Sequence, residues 1–190
     1  MKVRVAPRAR KVVLEMGPRD SSLPPSALPE LRLRKILVPI DFSEPSRKAL
    51  AYATSFAKQF NAELLLFHAV PLLPMPAPIY LDQGETEARL HEEATKQLAQ
   101  WQKELSSQVS VSAKAVVRHG TNAYDQIVTA ATEYNIDLII LGTHGRAGAA
   151  RWFIGSTAER VVRHAPCPVL VVRERGHDFV AESGAKRTLR

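Results

Sequence analysis

Short apolar runs separated by helical patterns constrain the fold of this chain more than any other feature. The runs occupy residues 36–40, 64–67, 138–141 and 169–172, and each is apolar at nearly every position. Continuous runs of this length are typical of strands buried on both faces, as in parallel sheets. Segments with apolar residues at helical spacing lie between them. The sequence therefore predicts an α/β fold in which a doubly wound parallel sheet carries helices on both faces.

A fifth strand is predicted from residue 109 to residue 117, where apolar and polar residues alternate. Alternation indicates a half-exposed strand, so we expect it at an edge of the five-stranded sheet. Helices are expected after residue 44, at residues 85–107, from residue 120 and after residue 155. The inward face of the last helix is expected to carry Ile154, Ala158, Val161, Val162 and Ala165.

The two ends of the chain differ from the predicted domain at residues 34–173. Residues 1–33 are rich in Pro and Arg and are expected to be a flexible extension, in which a short helix within residues 8–16 would have nothing to bury it. Residues 174–190 are expected to be a flexible basic tail. Residues 1–34 carry +5 of the formal net charge of +7, so the domain is nearly neutral and no nucleic-acid partner is expected. Met16 is an alternative start that removes most of that charge.

A glycine-rich segment follows the run at residues 138–141 and leads into a helix. It contains the pattern Gly142-x2-Gly145-x9-Gly155-Ser156. Glycines let the main chain approach a bulky ligand, and the N–H groups and dipole of a helix start favour an anion. Thr157 adds a hydroxyl donor, and Arg146 adds a positive charge. Taken alone, the pattern fits either a phosphate cradle or an ordinary glycine turn before a helix N-cap.

The segment VPIDFSE, after the first apolar run, is a second candidate region. Asp41 either caps this loop or reaches a ligand. Ligands of doubly wound sheets bind beyond the C-terminal strand ends, where the direction of winding reverses. Asp41 and Gly142 therefore converge on one site if the first and fourth strands are neighbours.

The segments VPIDFSE, DLIILGTHG and CPVLVV, with the glycine pattern between the last two, resemble the ATP-binding branch of the universal stress protein family over residues 34–173. The resemblance implies an adenine nucleotide alpha hydrolase-like fold with strand order 3-2-1-4-5. It also implies ATP, with or without Mg²⁺, as cofactor, although ADP and cyclic AMP remain open. In that family the glycines and Ser hold phosphates and ribose, the Asp reaches the ribose or base, and the base packs beside the end of the second strand. The implied nucleotide-binding residues are Pro39, Ile40, Asp41, Ser43, Ala69, Val70, Leu141, Gly142, Thr143, His144, Gly145, Arg146, Gly155, Ser156 and Thr157.

Several enzyme signatures are absent from the sequence. It contains no GxxxxGK[ST], no GxGxxG after the first strand and no GxSxG, which weighs against a Walker-type hydrolase, a dinucleotide site and a serine hydrolase. His144 is the one candidate for general acid–base catalysis, and the resemblance favours a role in positioning the nucleotide instead. No carboxylate is available to activate water, so no catalytic residue is assigned and any ATPase activity should be slow. His68 is expected to be a satisfied core histidine, and no metal site is expected.

The resemblance implies a nucleotide-dependent regulatory protein of the stress response. A nucleotide-free interaction module of the same fold and a slow ATP hydrolase are the alternatives. A homodimer is expected through the exposed edge of the last strand, formed by Val169, Leu170, Val171 and Val172. No apolar run approaches the roughly 20 residues that span a membrane, and no secretory signal is evident. Cys167 is the single cysteine and is expected to be a packed thiol, consistent with a cytoplasmic setting.

The phosphate-cradle hypothesis carries an expectation about its glycines. A valine at position 142 or 145 should block the approach of the main chain to a nucleotide. We expect it to abolish nucleotide-induced stabilisation while leaving the unliganded fold mostly intact.

Overall fold

The computed structural model describes residues 2–6, 11–15, 31–72, 83–143, 155–174 and 180 of the chain. The chain divides into two compact units, Met1–Arg32 and Leu33–Arg190. The first unit contains two antiparallel strands, β1 (Lys2–Ala6) and β2 (Lys11–Glu15). Residues 11–15 therefore lie in a strand, and the short helix considered for this segment is not formed there. The valines of both segments are β-branched and favour strand over helix.

The second unit is built on a five-stranded sheet in which all neighbouring strands are parallel. Its spatial order is β5-β4-β3-β6-β7, which confirms the predicted order 3-2-1-4-5 when strands are counted from the first of the sheet. The strands are β3 (Lys35–Pro39), β4 (Glu63–Pro71), β5 (Ala113–Gly120), β6 (Leu138–Gly142) and β7 (Val169–Val172).

Helices cover both faces of this sheet. They are α1 (Glu44–Phe60), α2 (Gln83–Gln108), α3 (Ala123–Glu133) and α4 (Ser156–His164). The buried residues form two clusters: α1 and α2 contribute to one, and α3 and α4 to the other. Neighbouring residues of a strand point to opposite faces, so Ile36 and Val38 join the first cluster and Leu37 joins the second. Among the described helices, none is both long enough and apolar enough to cross a bilayer.

Two predicted element starts differ from the structure. β5 begins at Ala113, whereas Val109 and Val111 precede the strand and pack against the first cluster. Helix α3 begins at Ala123, because Gly120 is still the last residue of β5.

The inward face of α4 is also narrower than predicted. Ala158 and Val161 are buried, but Val162 is 49% exposed. One residue turns an α-helix by about 100°, so two adjacent valines cannot both face the sheet.

Asp137 joins the entry of β6 to the entry of β3. Its Oδ2 accepts hydrogen bonds from the main-chain N–H groups of Arg34 (2.8 Å) and Lys35 (2.9 Å). The Lys35 carbonyl in turn accepts from the Asp137 N–H at 3.0 Å. These bonds align the two central strands at their N-terminal ends, where Ile36 pairs with Leu138 and Leu37 with Ile139.

Candidate functional site

The direction of winding reverses between β3 and β6. From β3 the chain continues through α1 to β4 on one side, while β6 is added on the other side. Ile36 pairs with Leu138 and Leu37 with Ile139, so this register brings the end of β3 beside Gly142 at the end of β6. We call the space beyond these two strand ends the strand-end crevice. Ligands of open parallel sheets bind at such a reversal.

The loop at the end of β3 is a tight turn stabilised by its own side chains. Asp41 Oδ1 accepts hydrogen bonds from the Ser43 N–H (3.1 Å) and the Ser43 hydroxyl (2.5 Å). The Ser43 Oγ also accepts from the Ser46 N–H at 3.4 Å and caps α1. The capping role considered for Asp41 is therefore present, and it holds the carboxylate at the strand-end crevice.

The two halves of the glycine pattern meet at the end of β6. The Gly155 N–H donates to the Thr143 carbonyl at 2.7 Å, and the Thr143 N–H donates to the Val172 carbonyl at 3.0 Å. Helix α4 begins directly after Gly155, and none of the side chains that the structure describes caps its N-terminus. Ser156 and Thr157 are exposed there, whereas Thr143 is buried. This arrangement leaves hydroxyl and main-chain donors of the first turn of α4 next to the end of β6.

Gly142 has a packing role that the sequence did not indicate. A Cβ at this position would lie 2.9 Å from the carbonyl carbon, the carbonyl oxygen and the Cβ of Pro45 in α1. Real Cβ atoms essentially never approach other heavy atoms so closely. The expectation that a valine at 142 leaves the unliganded fold mostly intact is therefore wrong, because the glycine is needed for α1 to pack on β6.

The remaining described candidates lie around the same strand ends. Leu141, Ile40 and Val70 are buried in the core, so mainly their main-chain atoms are available to a ligand. Pro39 ends β3, and Ala69 lies near the end of β4 with its side chain partly buried. The predicted residues His144, Gly145 and Arg146 lie outside the described residues.

His68 is confirmed as a structural histidine. The Ile40 carbonyl can only accept a hydrogen bond, so His68 Nδ1 is the donor of the 2.6 Å bond between them. The Phe42 ring lies 4.7 Å from the His68 ring, and Trp101 of α2 meets Phe42 edge-on at 5.6 Å. Sequence reasoning missed this aromatic cluster because its members are distant in the chain.

A cavity of about 640 Å³ lies between α2 and β5, and its lining residues are not among the nucleotide-binding candidates. Its wall includes His91 and His119, whose rings stack at 4.8 Å with 15° between their planes. The ring-nitrogen lone pairs of two stacked imidazoles lie in parallel planes and do not converge on a shared metal ion. Within the described part of the chain, no group of three or more His, Cys, Asp or Glu side chains is arranged to hold a metal.

Cys167 packs against the cluster formed with α3 and α4. Burial raises the pKa of its thiol, the charge of Asp137 raises it further, and a backbone hydrogen bond with Ile139 acts in the opposite direction. The structure thus agrees with the prediction of a packed thiol. A raised pKa keeps the thiol protonated and less nucleophilic at neutral pH.

The strand order and the helices on both faces define a doubly wound α/β protein whose winding reverses between its first and fourth sheet strands. A sequence profile of the universal stress protein family matches residues 32–173, and the chain belongs to this family.

Individual relatives agree with this assignment. The universal stress protein MJ0531 of Methanocaldococcus jannaschii is 33% identical over 141 residues, which cover 74% of this chain and 82% of the relative. The solved structure of UspA from Lactobacillus plantarum has a TM-score of 0.69 at 28% identity and covers 76% of this chain and 100% of that chain. The structure of MJ0577, also from Methanocaldococcus jannaschii, has a TM-score of 0.68 at 29% identity, with coverage of 77% and 100%.

Proposed function

We propose that this chain is an ATP-binding universal stress protein that acts in the stress response through nucleotide-dependent regulation. In this proposal the nucleotide, with or without Mg²⁺, binds in the strand-end crevice of a cytoplasmic homodimer. The proposal assigns no catalytic residue, because the function required of the site is binding.

The observation that carries the proposal is the hydrogen bond between the Gly155 N–H and the Thr143 carbonyl at 2.7 Å. It places the start of α4 beside the end of β6, where the winding of the sheet reverses. Among the described residues, no side chain caps the first N–H groups of α4, and the positive end of its dipole is directed at the same place. These donors fit the charge of a phosphate group.

The proposed contacts divide between the two ends of the nucleotide. Ser156 and Thr157 provide hydroxyl and main-chain donors for the phosphates, together with Gly145 and Arg146 of the glycine pattern. Asp41, at the end of β3, provides an acceptor for the ribose or the base. Ala69, at the end of β4, provides apolar surface for the base.

Two known proteins of this fold hold adenine nucleotides. One solved universal stress protein holds cyclic AMP, at 22% identity and a TM-score of 0.52. A family protein from Arabidopsis thaliana holds AMP, at 15% identity and a TM-score of 0.50. At these identities the likeness supports the shared fold, and the preference for ATP rests on the glycine pattern.

A pair of substitutions at Ser156 tests the phosphate contact. Ser156→Asp puts a negative charge at the start of α4, which should stabilise the unliganded helix by about 0.3–1 kcal/mol. The same charge repels a triphosphate and should weaken ATP binding by at least about tenfold. Ser156→Asn has nearly the same size without the charge and serves as the matched control.

The measurement is the shift in melting temperature on adding ATP, made for the wild type and both variants. We expect a clear shift for the wild type and Ser156→Asn, and its loss in Ser156→Asp. A full shift in Ser156→Asp, or none in the wild type, would refute the proposal. Mass spectrometry of small molecules released from the purified protein distinguishes ATP from ADP and cyclic AMP.

The proposed dimer uses the outer edge of β7. This strand pairs with β6 and is the last strand of the described sheet. The Pro168 carbonyl accepts a hydrogen bond from the Ile139 N–H of β6, and the Val172 carbonyl accepts one from the N–H of Thr143, which directly follows β6. Because successive residues of a strand point their main-chain groups to alternate sides, the N–H and carbonyl of Val171 point away from β6. These outward groups are available to a second copy of the strand.

A further inference from the structure

The turn that carries Asp41 contains a strained residue. Phe42 has a φ of 64°, in the left-handed region that a side chain with a β-carbon disfavours. Among the described residues, the other non-glycine residues with positive φ are Asn61 and Asn135, and asparagine tolerates this region. A phenylalanine adopts it only where the surrounding structure holds it there.

The Phe42 ring is held between two elements of the fold. On the β4 side it lies 4.7 Å from the ring of His68, which is itself fixed by its hydrogen bond to the Ile40 carbonyl. On the α2 side the Trp101 ring meets it edge-on, with 5.6 Å between centroids and 90° between planes. Edge-to-face packing is the attractive arrangement of two aromatic rings. The ring therefore fixes the backbone of the turn against both β4 and α2.

Trp101 is also held from α1. The Arg47 guanidinium lies 4.3 Å from the centroid of the Trp101 ring, in the geometry of a cation–π contact. The Arg47 N–H donates to the Ser43 carbonyl at 3.0 Å. Ser43 thus contacts Arg47, Arg47 contacts Trp101, and Trp101 contacts Phe42. This chain of contacts begins and ends within the same turn.

We infer that Phe42 is a positioning residue that fixes the left-handed turn and thereby holds the Asp41 carboxylate at the strand-end crevice. The carboxylate has one orientation because its Oδ1 accepts two hydrogen bonds from Ser43. Asp41 directly precedes Phe42 in the chain and Ser43 directly follows it, so these bonds depend on the backbone conformation of Phe42. If the Phe42 ring is removed, the turn loses its support and the carboxylate its orientation. This inference rests on the proposed function, since it concerns the contact of Asp41 with the bound nucleotide.

A double-mutant cycle measured by calorimetric titration with ATP tests this role. Asp41→Asn and Phe42→Ala are each expected to weaken ATP binding by about tenfold. Because Phe42 acts through Asp41, Phe42→Ala should weaken binding by no more than about twofold further in the Asp41→Asn background. A residue that only stabilised the fold would give effects that add.

Phe56→Ala is the matched control. Phe56 is another partly buried phenylalanine of the same core cluster, and it stacks on Phe60 at 6.2 Å in α1. We expect this variant to bind ATP within about twofold of the wild type, since it is remote from the turn. Equal effects of Phe42→Ala and Phe56→Ala, or additive effects in the cycle, would overturn the inference while leaving ATP binding in place. A wild type that does not bind ATP would overturn both proposals.

Phe42→Gly keeps the test decisive if Phe42→Ala does not fold. Glycine adopts a φ of 64° without strain, so this variant removes the ring but permits the turn. We expect it to fold and to bind ATP about tenfold more weakly than the wild type, because the turn is permitted but no longer fixed. Wild-type affinity in Phe42→Gly would show that the ring does not position Asp41.

Discussion

Gly142 ends β6 at the point where the first turn of α1 lies against it. A Cβ built on this glycine lies 2.9 Å from three atoms of Pro45, two of which belong to the main chain. Main-chain atoms of a helix cannot rotate out of the way as a flexible side chain can. Gly142→Ala therefore forces α1 and β6 apart or distorts one of them, and the effect should appear in the protein without nucleotide.

The cost can be estimated from the size of the overlap. Adding one methyl group to a well-packed interior costs about 1–3 kcal/mol. Replacing glycine by alanine in a strand returns about 0.5–1 kcal/mol through the lower entropy of the unfolded chain. Because two of the three overlapped atoms belong to the main chain, we take the upper part of the packing cost and expect a net loss of about 1–2.5 kcal/mol, which corresponds to a melting temperature lower by about 3–8 °C in a domain of this size.

Urea denaturation of the nucleotide-free protein, followed by far-UV circular dichroism, measures this loss. Gly84→Ala is the matched control, because nothing lies within 4 Å of a Cβ at Gly84 in α2. The control should be neutral, or more stable by up to about 1 kcal/mol. A denaturation midpoint for Gly142→Ala equal to that of the wild type would refute the packing argument. If Gly142→Ala is destabilised as expected, weaker nucleotide binding by a Gly142 variant cannot be assigned to the lost phosphate contact alone, because the packing of α1 on β6 has changed as well.

Three further outcomes follow from the structure. Val171→Pro removes an N–H that points away from β6, so light scattering should show a monomer with an unchanged circular dichroism spectrum. Val172→Pro removes an N–H that faces β6 and should instead disrupt the fold. A Val171→Pro protein that remains a dimer would exclude the β7 edge as the dimer interface. Burial raises the pKa of the Cys167 thiol, so the folded protein contains less thiolate at pH 8 than the denatured protein. Iodoacetamide should therefore alkylate the folded protein more slowly, and equal rates would contradict a packed thiol. Asp137→Ala removes the acceptor for two N–H groups at the start of β3 and should lower the free energy of unfolding by about 1–3 kcal/mol. A urea denaturation midpoint equal to that of the wild type would contradict this role of Asp137.

The buried strands could be predicted because each is apolar along its whole length, a pattern that parallel sheets require. The start of β5 could not, because alternation continues through Val109 and Val111 although the strand does not. β5 begins where its neighbour begins: Ala113 pairs with Leu64, the second residue of β4, and the Leu64 N–H donates to the Ser112 carbonyl at 2.8 Å. Only Glu63 of β4 precedes this pair, so residues 109–111 lie beyond the start of the partner strand. Strand ends depend on the length of the partner strand, which a local pattern does not contain.

The site was predictable only in part, for a related reason. The convergence of Asp41 with Gly142 followed from the order of the strands, and the structure confirms that order. The packing of Gly142 on Pro45 and the left-handed φ of Phe42 have no local sequence signal, since a glycine fits several roles and phenylalanine is disfavoured in that region. Both features are contacts between distant segments.

The hydrogen bond between Gly155 and Thr143 joins main-chain atoms only, so it makes no demand on the side chains of residues 144–154. Both partners of this bond, the Gly155 N–H and the Thr143 carbonyl, are therefore retained whatever side chains residues 144–154 carry. For a protein engineer, the two main-chain groups are fixed attachment points between which a segment of different sequence can be inserted and tested.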